Sequence, residues 1–250
     1  MSIVNRIAKV TAFLIGSFTL MTLSAHAQNY QYQNETRDAL KRVYQTLNSE
    51  FGQTSTLHCG CNIKYIPKAQ YTHWVPDLSS CGYQVRLNQK RANRIEVEHI
   101  MPAWDFGHQR NCWQEGGRKN CDNDKLFKKM EADLHNVYPT VGEINADRRH
   151  FKFTDWGVPS PNYGSCEMVV DFKGQRAQPP KRARGQIARA YLYMAQKYDI
   201  KIPSEQLATY KDWDKSYDVT AFECRRNELI KQVQGNDNPF ITKRCLSRHR

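Results

Sequence analysis

Past residue 27 the sequence contains no apolar run long enough to cross a bilayer, which excludes a helical membrane span there and points to a soluble chain. It has no CxxC pair. Cys59-Gly60-Cys61 has a single residue between its thiols, so the spacing typical of structural zinc sites is missing. Internal repeats, low-complexity tracts and linker-like stretches are absent too, and nothing divides the chain into separate units. Acidic residues are in the minority, with 25 Asp and Glu against 37 Lys and Arg, a formal charge of +12. This imbalance argues against a polycationic partner and favours a polyanionic one through counterion release, although an exported protein can be basic without such a partner.

The first 27 residues differ from the rest. Arg6 and Lys9 precede an apolar run from Val10 to Leu23, and Ala25-His26-Ala27 offers the small residues that a signal peptidase reads. We expect a signal peptide over 1–27, cleavage after Ala27, and a domain over 28–250. All eight cysteines (Cys59, Cys61, Cys81, Cys112, Cys121, Cys166, Cys224 and Cys245) follow the leader, and an even number in an exported chain reads as up to four disulfides. Cys112 and Cys121 are close enough to close a local loop. Cys59 and Cys61 are too close to pair with each other and must reach elsewhere.

Periodicity predicts helices over 34–51 (Leu40, Val43, Tyr44, Leu47 and Phe51 on one side, Asn34 as cap), 126–138, 181–198, 204–217 and 220–235. Residues 53–93 read as short strands stapled by cysteines, 105–125 as a loop, and 151–180 as loop with a strand near Met168-Val169-Val170. Thr140-Val141-Gly142-Glu143 and Thr220-Ala221-Phe222-Glu223 both have the form of a capping box at a helix start. Together these elements describe an α+β fold, a mixed α/β single domain stapled by disulfides.

The central stretch is Arg94-Ile95-Glu96-Val97-Glu98-His99-Ile100-Met101-Pro102, a strand-like alternation that ends at a proline. It delivers a carboxylate beside an imidazole, although a solvated Glu98 and a half-buried His99 would look the same. Neighbours on a regular strand face opposite ways, so Glu98 and His99 share a pocket only if the strand ends or twists there, and Glu96 is the rival carboxylate. Gly116-Gly117-Arg118-Lys119 suits close approach to a phosphate, and ordinary turn geometry explains its glycines equally well. Asn145 falls within the first turns of a helix, where an asparagine has either a polar task or simple exposure.

Glu98-His99 with Pro102-Ala103-Trp104, Phe106-Gly107-His108-Gln109-Arg110, Cys112-Trp113, Gly116 to Cys121, Asp133-Leu134-His135-Asn136 and Val141-Gly142-Glu143-Ile144-Asn145 closely resembles the bacterial endonuclease I family of exported non-specific nucleases. The resemblance continues through Arg182-Ala183-Arg184-Gly185 and Asn238-Pro239-Phe240, in the same order, over nearly all of the chain after the leader. It implies a ββα-metal (His-Me finger) core, a monomer, and periplasmic or extracellular cleavage of double- and single-stranded DNA, and of RNA, with Mg2+ (Mn2+ or Ca2+ as substitutes). It further implies that His99 is the general base, that Glu98 and Asn145 hold the metal, that Arg118 holds the cleaved phosphate, and that Glu131 is an acidic residue beside the site. Arg110, Lys119, Arg182 and Arg184 are candidates for the nucleic-acid backbone.

The chemistry agrees independently. Phosphodiester hydrolysis needs a base for the attacking water and neutralisation of charge on phosphorus and the departing oxygen. Imidazole titrates near neutrality, magnesium takes one or two protein oxygens, and arginine presents a fork matched to phosphate. A basic, disulfide-rich nucleic-acid-binding protein without chemistry is the alternative that composition alone permits.

Overall fold

The computed structural model describes residues 33–69, 71–157 and 162–247. The expected leader and its cleavage point therefore lie outside the described residues. Helix α1 (Gln33–Phe51) turns Leu40, Val43, Tyr44 and Leu47 into the core, as their spacing requires. It stops before Gly52, which has a φ of 76° that an L side chain rarely adopts. Strands β1 (Asn62–Pro67) and β2 (Thr72–Asp77) form an antiparallel hairpin, and the short α2 (Gln89–Ala92) leads into β3 (Ile95–His99).

The stretch 105–125, expected as a loop, contains most of α3 (Ala103–Gly107) and all of α4 (Asn111–Asn120). The glycine pair hid α4 from the sequence: Gly116 and Gly117 have non-helical backbone angles and kink it just before Arg118. Gly107 has another purpose. A Cβ there would fall 2.1 Å from Trp113, whose ring packs against Phe127 and His108. Gly107→Ala is expected to cost about 1–3 kcal/mol by overpacking, read as a fall of several degrees in melting temperature.

Helix α5 (Lys125–Glu131) is shorter than its apolar pattern suggests, and Val137 belongs to strand β4 (Val137–Val141). A proline inside a strand removes a ladder hydrogen bond. β4 pairs only with β3, however, so the N–H that Pro139 lacks disrupts no second ladder, and the Pro139 carbonyl accepts from the Leu57 amide at 2.9 Å. Helix α6 (Gly142–Arg148) follows without a break, and β3, β4 and α6 make the ββα unit. The capping box expected at its start does not form. The Glu143 carboxylate instead accepts from the amides of Arg86, Leu87 and Asn88 and from the Tyr83 hydroxyl, pinning the preceding segment to α6.

A three-stranded sheet follows, β5 (Lys152–Phe153), β6 (Val169–Asp171) and β7 (Arg176–Gln178), with β7 central. Four helices close the fold: α7 (Lys181–Tyr198), α8 (Ser204–Ser216), α9 (Ala221–Gln234) and α10 (Pro239–Ser247). Thr220 does cap α9, accepting from the Glu223 amide. α1 and α9 share one apolar core with β1, β2 and the ends of β3 and β4, while α7 and α8 share a second, larger core with the ββα unit and the segments around it. Strand β3 is thus held between two packed layers. All eight cysteines pair, as Cys59–Cys166, Cys61–Cys81, Cys112–Cys121 and Cys224–Cys245. The local Cys112–Cys121 loop and the divergent partners of Cys59 and Cys61 match the sequence reading, and no thiol remains for zinc.

Candidate active site

A cavity of about 420 Å³ opens where β3, α6, α4 and α1 meet, and His99, Arg118, Glu131 and Asn145 all line it. Four elements bring them together. His99 is the last residue of β3, Asn145 lies in the first turn of α6, and Glu131 ends α5. Arg118 follows the kink in α4, where Gly117 has a φ of 71°.

His99 donates from Nε2 to the backbone carbonyl of Glu131 at 2.7 Å. A carbonyl can only accept, so the neutral ring carries its proton on Nε2 and its lone pair on Nδ1. Burial pushes the pKa of His99 below its ordinary value, with the cations Arg118 and Arg148 pushing the same way and the Glu131 contacts pulling back. The imidazole is therefore neutral at pH 7. The Glu131 side chain takes Arg118 in an ion pair of 2.5 Å, so one residue fixes the tautomer of His99 through its backbone and the place of Arg118 through its carboxylate.

The last three residues of β3 alternate. Val97 and His99 line the cavity, whereas Glu98 is buried behind it, with Oε2 against His58 Nε2 at 2.7 Å. The other oxygen, Oε1, has no hydrogen bond and lies 3.6 Å from Arg148 Nη1. Burial raises the Glu98 pKa, but His58 and Arg148 outweigh it and hold the carboxyl below its usual range. It is an ionised carboxylate with one unsatisfied oxygen.

Glu96 is the carboxylate that reaches the cavity wall, and it is fully engaged. Oε1 accepts from Arg91 Nε and Arg94 Nε, and Oε2 accepts from Arg91 Nη2 and Asn145 Nδ2. A carboxylate has about four acceptor positions, and all of them are filled. By taking the Asn145 side-chain nitrogen, Glu96 leaves the side-chain oxygen Oδ1 of Asn145 without a donor among the described residues. Asn145 thus has a polar task.

Arg148 was missed in the sequence. Its guanidinium donates to the carbonyls of His99 and Ile100 at 2.8 and 2.6 Å and rests on Phe153, fixing the end of β3. Its place three residues after Asn145, on the same face of α6, was the available signal. Of the four candidates for the nucleic-acid backbone, Arg110 is paired with Asp124, Arg182 grips the carbonyls of Thr56, Leu57 and His58, and Arg184 is buried against Asp155 and the Pro179 carbonyl. Lys119 is exposed at the surface, next in the chain to the cavity arginine Arg118, and has no ion pair among the described residues.

A profile described as Endonuclease I matches residues 29–245. The chain belongs to the endonuclease I family. Among its relatives in that family, a periplasmic deoxyribonuclease of Aeromonas hydrophila is 45% identical over 98% of this chain and 100% of its own length. An extracellular deoxyribonuclease of the same species is 47% identical over 90% and 94%. Endonuclease-1 of Buchnera aphidicola subsp. Baizongia pistaciae is 41% identical over 89% of each chain. The endonuclease I family accounts for the α+β fold stapled by disulfides, and among the described residues no helix is long and apolar enough to cross a membrane.

Proposed function

We propose that the chain is an exported, magnesium-dependent endonuclease that hydrolyses phosphodiester bonds of DNA, and of RNA, with little sequence preference. The observation that carries this reading is the neutral His99, its Nε2 proton given to the Glu131 carbonyl, beside Arg118 in an open cavity lined with cations. In this reading the Nδ1 lone pair accepts a proton from the attacking water. Arg118 meets the phosphate with a planar fork, and Glu131 restrains it in the absence of substrate. Arg148 keeps the end of β3, and with it the ring, at a fixed distance from that phosphate. Binding through phosphate oxygens positions a strand without reading it, hence the lack of sequence preference.

The donor set fits a hard cation. Asn145 supplies the cavity with an amide oxygen that accepts from no described residue, and Glu98, buried behind that wall, has a carboxylate oxygen that is likewise unsatisfied. With Glu98 turned toward Asn145 they are two ligands of the kind and number magnesium takes from a protein. Bound there, the ion would neutralise charge on the phosphorane and the departing oxygen. Glu96, saturated by Arg91, Arg94 and Asn145, orients the asparagine. Export is supported by the four disulfides, which need an oxidising compartment, and by the periplasmic and extracellular relatives.

The test is digestion of supercoiled DNA, linear DNA and RNA by the purified protein with magnesium and with excess chelator. Loss of supercoiled form and shortening of both polymers, stopped by the chelator, is expected. Salt-sensitive binding with no cleavage in magnesium would replace the enzyme by a nucleic-acid-binding protein, and cleavage that survives chelation would remove the metal.

A further inference from the structure

Two of the four arginines of the cavity are bound to the protein itself: Arg118 to Glu131, and Arg148 to Glu98 and the end of β3. Two others on its walls have no carboxylate partner among the described residues. They are Arg37, from α1, and Arg149, the residue after α6.

Arg149 is held there at a conformational cost. Its backbone has φ 54° and ψ −125°, outside the left-handed helical region where some non-glycine residues settle, and easy only for glycine. Its amide closes α6 on the Asn145 backbone carbonyl at 3.2 Å, so the chain turns sharply one helical turn after the proposed metal ligand and leaves Arg149 on the cavity wall. No carboxylate among the described residues neutralises the charge. The nearest rings, Phe151 and Phe172, lie 5.8 and 6.0 Å away, near the limit of a cation–π contact. Strain of this kind persists where the surroundings enforce it, and it gathers at sites that clamp a ligand.

We propose that Arg149, with Arg37 as its counterpart, binds the phosphates that flank the scissile one, so that the cavity takes a polymeric phosphodiester strand and not an isolated phosphate. The proposal rests on the nuclease reading above and adds two contacts to it. In that complex Arg118 meets the reacting phosphate, and the two unpartnered guanidiniums hold its neighbours in register. Arg149 is a binding residue and takes no proton.

The experiment measures binding of a short DNA duplex, across a range of salt concentrations and without metal, to the His99→Ala protein and to His99→Ala carrying Arg149→Gly, Arg149→Lys or Arg37→Ala. Glycine relieves the backbone, so Arg149→Gly is expected to melt at a higher temperature while binding DNA about tenfold more weakly, the loss of one charge-assisted contact. The slope of log affinity on log salt should fall by about 0.9, one phosphate's worth. Arg37→Ala should lower affinity and slope likewise, and Arg149→Lys should keep the slope. An Arg149→Gly protein that melts higher and binds with unchanged affinity and slope overturns the proposal. Cleavage by the otherwise unaltered protein is scored separately. If it cuts DNA while Arg149→Gly binds normally, only this inference fails, whereas absence of cleavage removes the nuclease reading and this proposal with it.

Discussion

Replacing His99 by alanine is expected to slow DNA cleavage by about 10²–10⁴-fold, the usual contribution of a positioned base, while duplex binding without metal stays close to that of the unaltered protein. Removing the ring frees one backbone carbonyl, that of Glu131, and water can reach it through the cavity mouth, so the melting temperature should move little. Near-normal turnover in the variant would remove His99 from the reaction. The pH profile gives a second reading of the same residue. The base must be neutral, and burial holds its pKa below the ordinary imidazole value of 6.5. Activity should therefore climb with pH through a midpoint under 6.5 and be flat from neutrality upward.

Stability follows the same sign and has to be measured alongside. A buried histidine with a lowered pKa binds its proton less readily folded than unfolded. The stability it contributes is present above 6.5 and is lost as pH falls. His135, pushed down to about 4 by burial, extends that loss from 6.5 to about 4. A fall in activity accompanied by unfolding would report His135 and its surroundings. A fall in a still-folded protein reports His99.

Much of this arrangement was legible in the sequence, and what was not has identifiable causes. α1, α7 and α9 carry enough apolar residues at helical spacing for the period to define them, and the alternation from Ile95 to Val97 defined β3. β4 escaped because Val137 continues the helical spacing of 126–138 and Pro139 reads as an interruption of that helix, whereas a strand with a single partner, which tolerates the proline, is a fact of topology that no local pattern carries. α4 escaped because its kink at Gly116-Gly117 breaks the period, although that kink is what sets Arg118 at the cavity. Thr140 to Glu143 has the pattern of a cap, yet three backbone amides from residues 86–88 compete for the Glu143 carboxylate and win. The resemblance identified Glu98, His99, Arg118, Glu131 and Asn145 as a group, and all but Glu98 line the cavity. It could not show that Glu96 would be saturated by two arginines, or that Arg148 would anchor the strand. Both depend on side chains from different elements meeting in space.

The largest effect expected besides His99 concerns the two carboxylates of β3, which separate by what already binds them. Glu98→Ala should abolish cleavage and also lower stability by about 3–5 kcal/mol, because Arg148 would keep a buried guanidinium with no opposing charge. Loss of activity alone would therefore say little about metal binding, and the decisive variants are those that spare the fold. Asn145→Ala removes an oxygen from the cavity without stranding a charge, and it should raise the magnesium concentration for half-maximal cleavage by at least about tenfold. Glu98→Gln keeps the volume and one acceptor, and it should raise that concentration too. Combined with Asn145→Ala it should give less than the sum of the two single effects, since both act on one ion. Glu96→Gln should weaken the hold on Asn145 and shift half-saturation less than either, because no acceptor position of Glu96 is open to a cation. The reverse order, with Glu96→Gln abolishing the magnesium response and Glu98→Gln leaving it unchanged, would move the ligand to Glu96. Glu98 would then be only the buried counter-charge that keeps His58 and Arg148 in place behind the strand.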